Sequence, residues 1–287
     1  MKALLKNAVL LSLIFLGQSA LAASSTTPVL ILTPGTVIQG EPAMVILDGV
    51  KISDIKKATY DKQPLAFFLY KNKPTALVGV DINKKIGTYE ISFILNDGSI
   101  IKNDLTVTSR DKKEEVLAVP EKLGGNSPAN QTKVVSELSK ENAILAGLFT
   151  GKKSFWTESF KYPIANPIVT DPYGYSRLTG AYTITHKGAD FRAKTGTKVT
   201  AMNRGVVRLV RNFQTYGKTI VIDHGLGLSS YYMHLSKIYV NEGELVKPGQ
   251  LIGLSGQTGY AEFPHLHLSV KINQISIDPI KFMALFK

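Results

Sequence analysis

The sequence holds 287 residues, 44% of them hydrophobic, with a formal net charge of +12 and no cysteine. That is enough chain and enough apolar content for two ordinary cores, which excludes an intrinsically disordered protein. The missing cysteines exclude a disulfide framework and a lipid-modified N-terminal cysteine. The basic balance by itself admits nucleic acid, a membrane surface or another polyanion as partner.

In chain order, Lys2 and Lys6 precede an apolar run from Ala8 to Leu16 and the small-residue stretch Ala20-Leu21-Ala22. This reads as a secretory signal peptide over residues 1–22, cut after Ala22. The apolar run is shorter than the ~20 residues a spanning helix needs, so no stable membrane insertion is expected after cleavage. An exported protein, periplasmic or secreted and cell-wall associated, would not take nucleic acid as its partner.

Residues 23–110 alternate short apolar runs with turn signals such as Pro34-Gly35, Asp48-Gly49 and Asn96-Asp97-Gly98. Six or seven strands in this length predict a small immunoglobulin-like sandwich, read as a spacer or wall-docking module. Residues 111–154 turn charged and breaker-rich, as a linker does. Within it Val134, Leu138, Leu145 and Leu148 recur at near-helical spacing, which predicts one amphipathic helix from about Asn130 to Leu148 packed on a neighbouring domain. Residues 155–287 return to β-branched and aromatic runs separated by glycine turns, and most of the excess positive charge falls there. The expected fold class is all-β, with a C-terminal antiparallel β domain.

Chemistry concentrates in that last region. The chain has five histidines. Three of them lie in His186-Lys187-Gly188-Ala189-Asp190 and Pro264-His265-Leu266-His267. Residues an even number apart on a strand face the same way, so His265 and His267 should project together, and His186 and Asp190 likewise. Two imidazoles and one carboxylate drawn from these pairs would make a three-ligand zinc site with a fourth position open. A lone histidine is more often a hydrogen-bonded structural residue, and Tyr232, an aromatic on a strand, more often belongs to a core.

Taken together, His186-Lys-Gly-Ala-Asp190, Val221-Ile-Asp-His-Gly225, Tyr232-Met-His234-Leu-Ser236, Val246-Lys-Pro-Gly-Gln250 and Gly256-Gln-Thr-Gly259 leading to Pro264-His265-Leu-His267 resemble the lysostaphin/LytM-type zinc endopeptidases of bacterial cell walls. The resemblance covers about Pro163 to Pro279. It implies a barrel-sandwich-like β fold, one Zn2+ per chain, and peptidoglycan as substrate. It also implies His186, Asp190 and His267 as the zinc ligands, with His234 and His265 as the catalytic pair. His224 is left as structural.

No His-Glu-x-x-His motif supplies a glutamate base, so a histidine is expected to take the proton from the attacking water. The expected activity is hydrolysis of peptide cross-links or bridges of peptidoglycan. Three other readings stand beside it: a non-catalytic peptidoglycan-binding protein or amidase activator, a non-haem iron enzyme built on the same donor types, and a swinging-arm carrier suggested by Val246-Lys-Pro-Gly-Gln250. The cleaved bond is not encoded in these motifs.

Overall fold

The computed structural model describes residues 27–111 and 113–286. The expected signal peptide, residues 1–22, lies outside the described residues. Strands dominate. Helix α1 (Pro128–Ala146) is the one helix of seven or more residues among those described, and α2 (Pro279–Ala284) closes the chain.

The N-terminal region is two sheets packed face to face. Four strands run in the order Val29–Thr33, Pro42–Asp48, Lys73–Gly79, Phe67–Tyr70. Five run in the order Thr36–Ile38, Ile100–Thr108, Gly87–Leu95, Ile55–Tyr60, Gln63–Pro64. The Asn96-Asp97-Gly98 signal does make the hairpin between Gly87–Leu95 and Ile100–Thr108, with Gly98 at φ 88°. Leu47, Ile91, Phe93, Leu105 and Val107 fill the space between the sheets and are fully buried.

The C-terminal region is built on an eight-stranded antiparallel sheet. Its order is Val169–Asp171, Ala189–Arg192, His265–Ile272, Leu228–Leu235, Lys218–Gly225, Gly205–Asn212, Leu245–Val246, with Ile275–Ile277 also paired to His265–Ile272. One face packs Phe191, Ile220, Tyr232, Leu266 and Leu268 into the main core. Met44, Tyr70 and Leu77 of the sandwich enter that same core, where Tyr70 meets Trp156 at 5.6 Å and Phe286 at 5.7 Å between ring centroids. The two regions thus share apolar burial and do not hang on a bare tether.

The 111–154 segment lies against the C-terminal region. Glu114–Val116 pairs in parallel with Ser176–Thr179, extending the 176–185 hairpin to three strands. Helix α1 begins at Ser127, whose hydroxyl accepts from the Asn130 amide, with Pro128 in its first turn. Leu145 packs with Leu209, Phe213, Val221, Tyr231 and Met233 on the second face of the large sheet. Glu141 is buried on the same side of the helix and accepts from the backbone amides of Thr215 (2.8 Å) and Tyr216 (3.0 Å). The helix therefore forms a wall over the polar face of the sheet.

Candidate metal centre

The second face of the large sheet carries the histidines. Along His265–Ile272, the residues His265, His267, Ser269 and Lys271 alternate to one side. His267 is paired in register with Asp190 on one neighbouring strand and with Met233 on the other. His186 and Asp190 do not lie on one strand as expected. The strand ends at Thr185, the chain bends at Gly188, and pairing resumes at Ala189. A side chain at 188 would place its Cβ 2.4 Å from Nε2 of His267 and 2.6 Å from the Leu268 carbonyl. Glycine is required there because the chain must cross directly behind the His267 ring.

The bend brings three donors together. Nε2 of His186, Nδ1 of His267 and Oδ1 of Asp190 are 3.0, 3.2 and 2.8 Å apart. The edges of a tetrahedron of ligands around zinc, with bonds of about 2.0–2.1 Å, are about 3.3 Å long, so two imidazoles and a carboxylate with this spacing suit such a cation. This is the one cluster of three or more metal-capable side chains among the described residues. All three are buried.

The ring nitrogens that do not face the cluster are each occupied. Nδ1 of His186 donates to the Pro172 carbonyl at 3.0 Å. Nε2 of His267 donates to the Ser269 hydroxyl at 2.9 Å, which donates in turn to the Lys187 carbonyl at 2.8 Å. A carbonyl only accepts, so these contacts set the tautomers and leave His186 Nε2 and His267 Nδ1 as lone pairs directed at Asp190. Burial, opposed by Asp190, pushes His267 down to about 4. Burial also tends to raise Asp190, but when the facing imidazole nitrogens of His186 and His267 carry protons, their charge and hydrogen bonds outweigh it and hold the carboxyl well below its usual range.

The other two site histidines sit beside this cluster. His234 and His265 have ring centroids 4.8 Å apart, and His234 stands 6.0 Å from His267. Nδ1 of His234 donates to the Thr258 carbonyl and Nδ1 of His265 to the Phe263 carbonyl, both at 2.8 Å. In the neutral rings both Nε2 atoms are therefore free, and that of His265 lies 3.7 Å from Asp190 Oδ1. Burial first, then the neighbouring His265 and His267, hold His234 well below the usual imidazole range. His234 also has φ 60°, a left-handed backbone rare outside glycine that costs about 1–3 kcal/mol. Its amide donates to the Tyr216 carbonyl at 3.0 Å, and Tyr216 is the residue that Glu141 of α1 holds.

His224 is elsewhere. Both its nitrogens are hydrogen-bonded at 2.8 Å, to the Arg204 carbonyl and the Ser230 hydroxyl, and burial pushes it down to about 4. Tyr232 turns to the main core, its hydroxyl accepting from the Met202 amide at 2.9 Å. Tyr231, on the opposite face, lines a cavity of about 620 Å³ between α1, the 176–185 hairpin and the sheet, which His186, His234 and His267 also border.

Sequence reasoning did not single out Arg177. From the hairpin it donates to Asp190 Oδ2 at 2.6 Å and also pairs with Asp171 Oδ2. It leaves Oδ1 as the oxygen facing the imidazoles. Burial disfavours its charge, but Asp190 and Asp171 outweigh that and raise its already high pKa. Nothing in the local pattern around Arg177 marks this contact, because hairpin and strand meet only in the fold. Ser269 was within reach of the strand period, as the next same-face position after His267. Lys271, the position after that, sits over the Tyr231 ring at 4.7 Å and is pushed down to about 8 by burial and by Lys187.

Residues 184–279 match peptidase family M23. Over 181 residues the chain is 34% identical to the peptidoglycan DD-endopeptidase ShyA of Vibrio cholerae serotype O1, an alignment that covers 60% of this chain and 42% of that protein. Over 105 residues it is 38% identical to lysostaphin of Staphylococcus staphylolyticus, covering 34% of this chain and 22% of that protein. The chain thus spans less than half the length of these curated relatives. A crystal structure of a candidate M23 peptidase from Pseudomonas aeruginosa superposes with a TM-score of 0.61 at 24% identity, covering 87% of this chain and 96% of that one, a likeness of fold. The residues that match peptidase family M23, 184–279, include His186, Asp190 and His267, the whole of the donor cluster.

Proposed function

We propose that this chain is an exported zinc-dependent endopeptidase that hydrolyses peptide cross-links or bridges of bacterial peptidoglycan. The observation that carries the reading is the convergence of His186 Nε2, His267 Nδ1 and Asp190 Oδ1, each fixed by a hydrogen bond behind it, beside two further imidazoles with free Nε2 atoms. The likeness to a peptidoglycan DD-endopeptidase supports the substrate class.

In this reading His186, Asp190 and His267 hold one Zn2+ and Arg177 orients the carboxylate. When bound, zinc supplies the Lewis acid that acidifies water and polarises the scissile carbonyl. His234 or His265 takes the proton of the attacking water at Nε2, and the ring so charged passes it to the leaving amine. The neighbouring ring, in its protonated form with an N–H at Nε2 as well, donates to the carbonyl oxygen and steadies it. The Thr258 and Phe263 carbonyls keep both Nε2 atoms aimed into the site throughout. An N-terminal immunoglobulin-like module over 23–110, a linker over 111–154 and a peptidase region over 155–287 complete the proposal. A periplasmic or cell-wall location follows from the substrate, and no helix among the described residues is long and apolar enough to cross a membrane.

The test is digestion of purified peptidoglycan with and without a chelator, together with metal analysis of His186→Ala and His234→Ala. Expected are chelator-sensitive release of peptide fragments, loss of zinc in His186→Ala only, and loss of hydrolysis in both. Full activity in either variant would refute the assignment.

A further inference from the structure

The cavity next to the donor cluster holds two cations that the reaction so far does not use. Lys187 directly follows His186, and Lys271 lies four positions beyond His267 on the same face of its strand, about 13 Å along it. Three other cations near the sheet have acidic partners: Arg177 has Asp171 and Asp190, Arg208 has Asp223, and Arg110 has Asp278. Lys187 and Lys271 have none among the described residues, and the Lys187 charge adds to burial in disfavouring that of Lys271. Asp81, the carboxylate that borders the same cavity, caps its own turn by accepting from the Asn83 amide at 2.8 Å.

Two like charges facing one half-enclosed space are mutually repulsive, and the arrangement is relieved when an anion enters between them. Lys271 is also held in place, its ammonium resting over the Tyr231 ring. The cavity of about 620 Å³ has room for several amino-acid residues. It opens onto His186, His234 and His267, so an anion between the lysines lies a few residues from the reacting carbonyl.

We propose that Lys271 and Lys187 form a subsite for a carboxylate of the substrate peptide, selecting acidic peptides next to the scissile bond. This rests on the hydrolase reading above. The carboxylate accepts charge-assisted hydrogen bonds from both ammonium groups, worth roughly tenfold or more in binding. The subsite thereby favours stem peptides with free carboxylates over their amidated forms.

The test uses the zinc-loaded full chain and a cross-linked pair of stem peptides prepared in two forms, with carboxylates free and with the same groups converted to primary amides. Wild type is expected to show a KM roughly tenfold lower for the free acid. In Lys271→Gln this preference collapses toward one through a rise in KM, with kcat nearly kept, whereas Lys271→Arg retains it. Zinc content of one per chain and an unchanged melting temperature show that the variant is folded, and Lys187→Gln provides a second, more exposed substitution. Equal KM values in wild type, or a preference that survives both glutamine variants, would overturn the subsite. If wild type cleaves neither form, the hydrolase reading fails. The two peptides are then compared by calorimetric binding, where tighter binding of the free acid, lost in Lys271→Gln, supports the subsite and equal binding refutes it.

Discussion

The two packed regions of this molecule use burial differently. Between the sheets of the N-terminal sandwich the core is apolar, and Glu41, Thr75 and Ser92 are the buried polar side chains of residues 27–110. The large C-terminal sheet buries apolar side chains on one face and, on the other, sets His186, Asp190, His234 and His267, with hydrogen bonds for each, beside the smaller apolar cluster under α1. A polar group in a dry interior is tolerated only when paired, so a face built of such groups is less stable than an apolar one of equal size. The difference teaches that the sandwich is a stability element and that the C-terminal face gives up stability to hold a site.

The largest effect that can break this comparison is at His267. His267→Ala should lose zinc and reduce hydrolysis by three orders of magnitude or more, whereas His265→Ala should keep zinc and lose turnover by at least 10²-fold. Metal analysis beside rate measurement separates them. Retention of zinc by His267→Ala would undo the ligand assignment.

Next, Phe93→Ala in the sandwich should cost about 3–5 kcal/mol of stability, since Phe93 is fully buried and its removal leaves a cavity. Denaturant unfolding measures the loss, and zinc content should remain one per chain. A variant that loses its zinc would show that the sandwich also positions the site.

His224 should show in the acid dependence of stability. Its folded value of about 4 lies below the ordinary 6.5, so the unfolded chain binds the proton first. The stability it contributes is present above pH 6.5 and falls as pH drops toward 4, by roughly 3 kcal/mol in full. Urea unfolding of chelator-treated protein between pH 7 and 4.5 should therefore be less steep in pH for His224→Gln than for wild type. Identical slopes would show that His224 titrates alike in the folded and unfolded chain, against the lowered folded value.

The smallest effect expected is at Arg177. Arg177→Gln should weaken zinc binding by about 10–100-fold while leaving the ligand set intact, because it frees Asp190 to turn. Competition with a chelator of known affinity measures it, and unaltered affinity would make the ion pair purely structural.

Part of this site was legible before any coordinates. Alternation along 265–272 is a local property of strands, so His265 and His267 on one face could be read directly, and Ser269 and Lys271 lay on the same line. The same rule misled at His186 and Asp190, where Gly188 breaks the strand and a bend, not a shared face, brings the two together. Helix α1 was visible in its spacing, two residues displaced at each end from Pro128–Ala146. Its buried Glu141 was not, since a glutamate on a helix is ordinarily solvated and only the Thr215 and Tyr216 amides account for its burial.

By itself, then, the sequence determined the strand-rich architecture, the helix between the two regions, and which residue types can hold a metal, because these follow from local periodicity and side-chain chemistry. Only the tertiary structure decided which nitrogen of each imidazole faces Asp190, that Arg177 takes its second oxygen, that His234 stands on a left-handed backbone, and that Lys187 and Lys271 share a cavity. Most of these depend on contacts between different elements, from about a dozen to some eighty residues apart, and local sequence carries no record of which carbonyl or carboxylate a side chain will meet there.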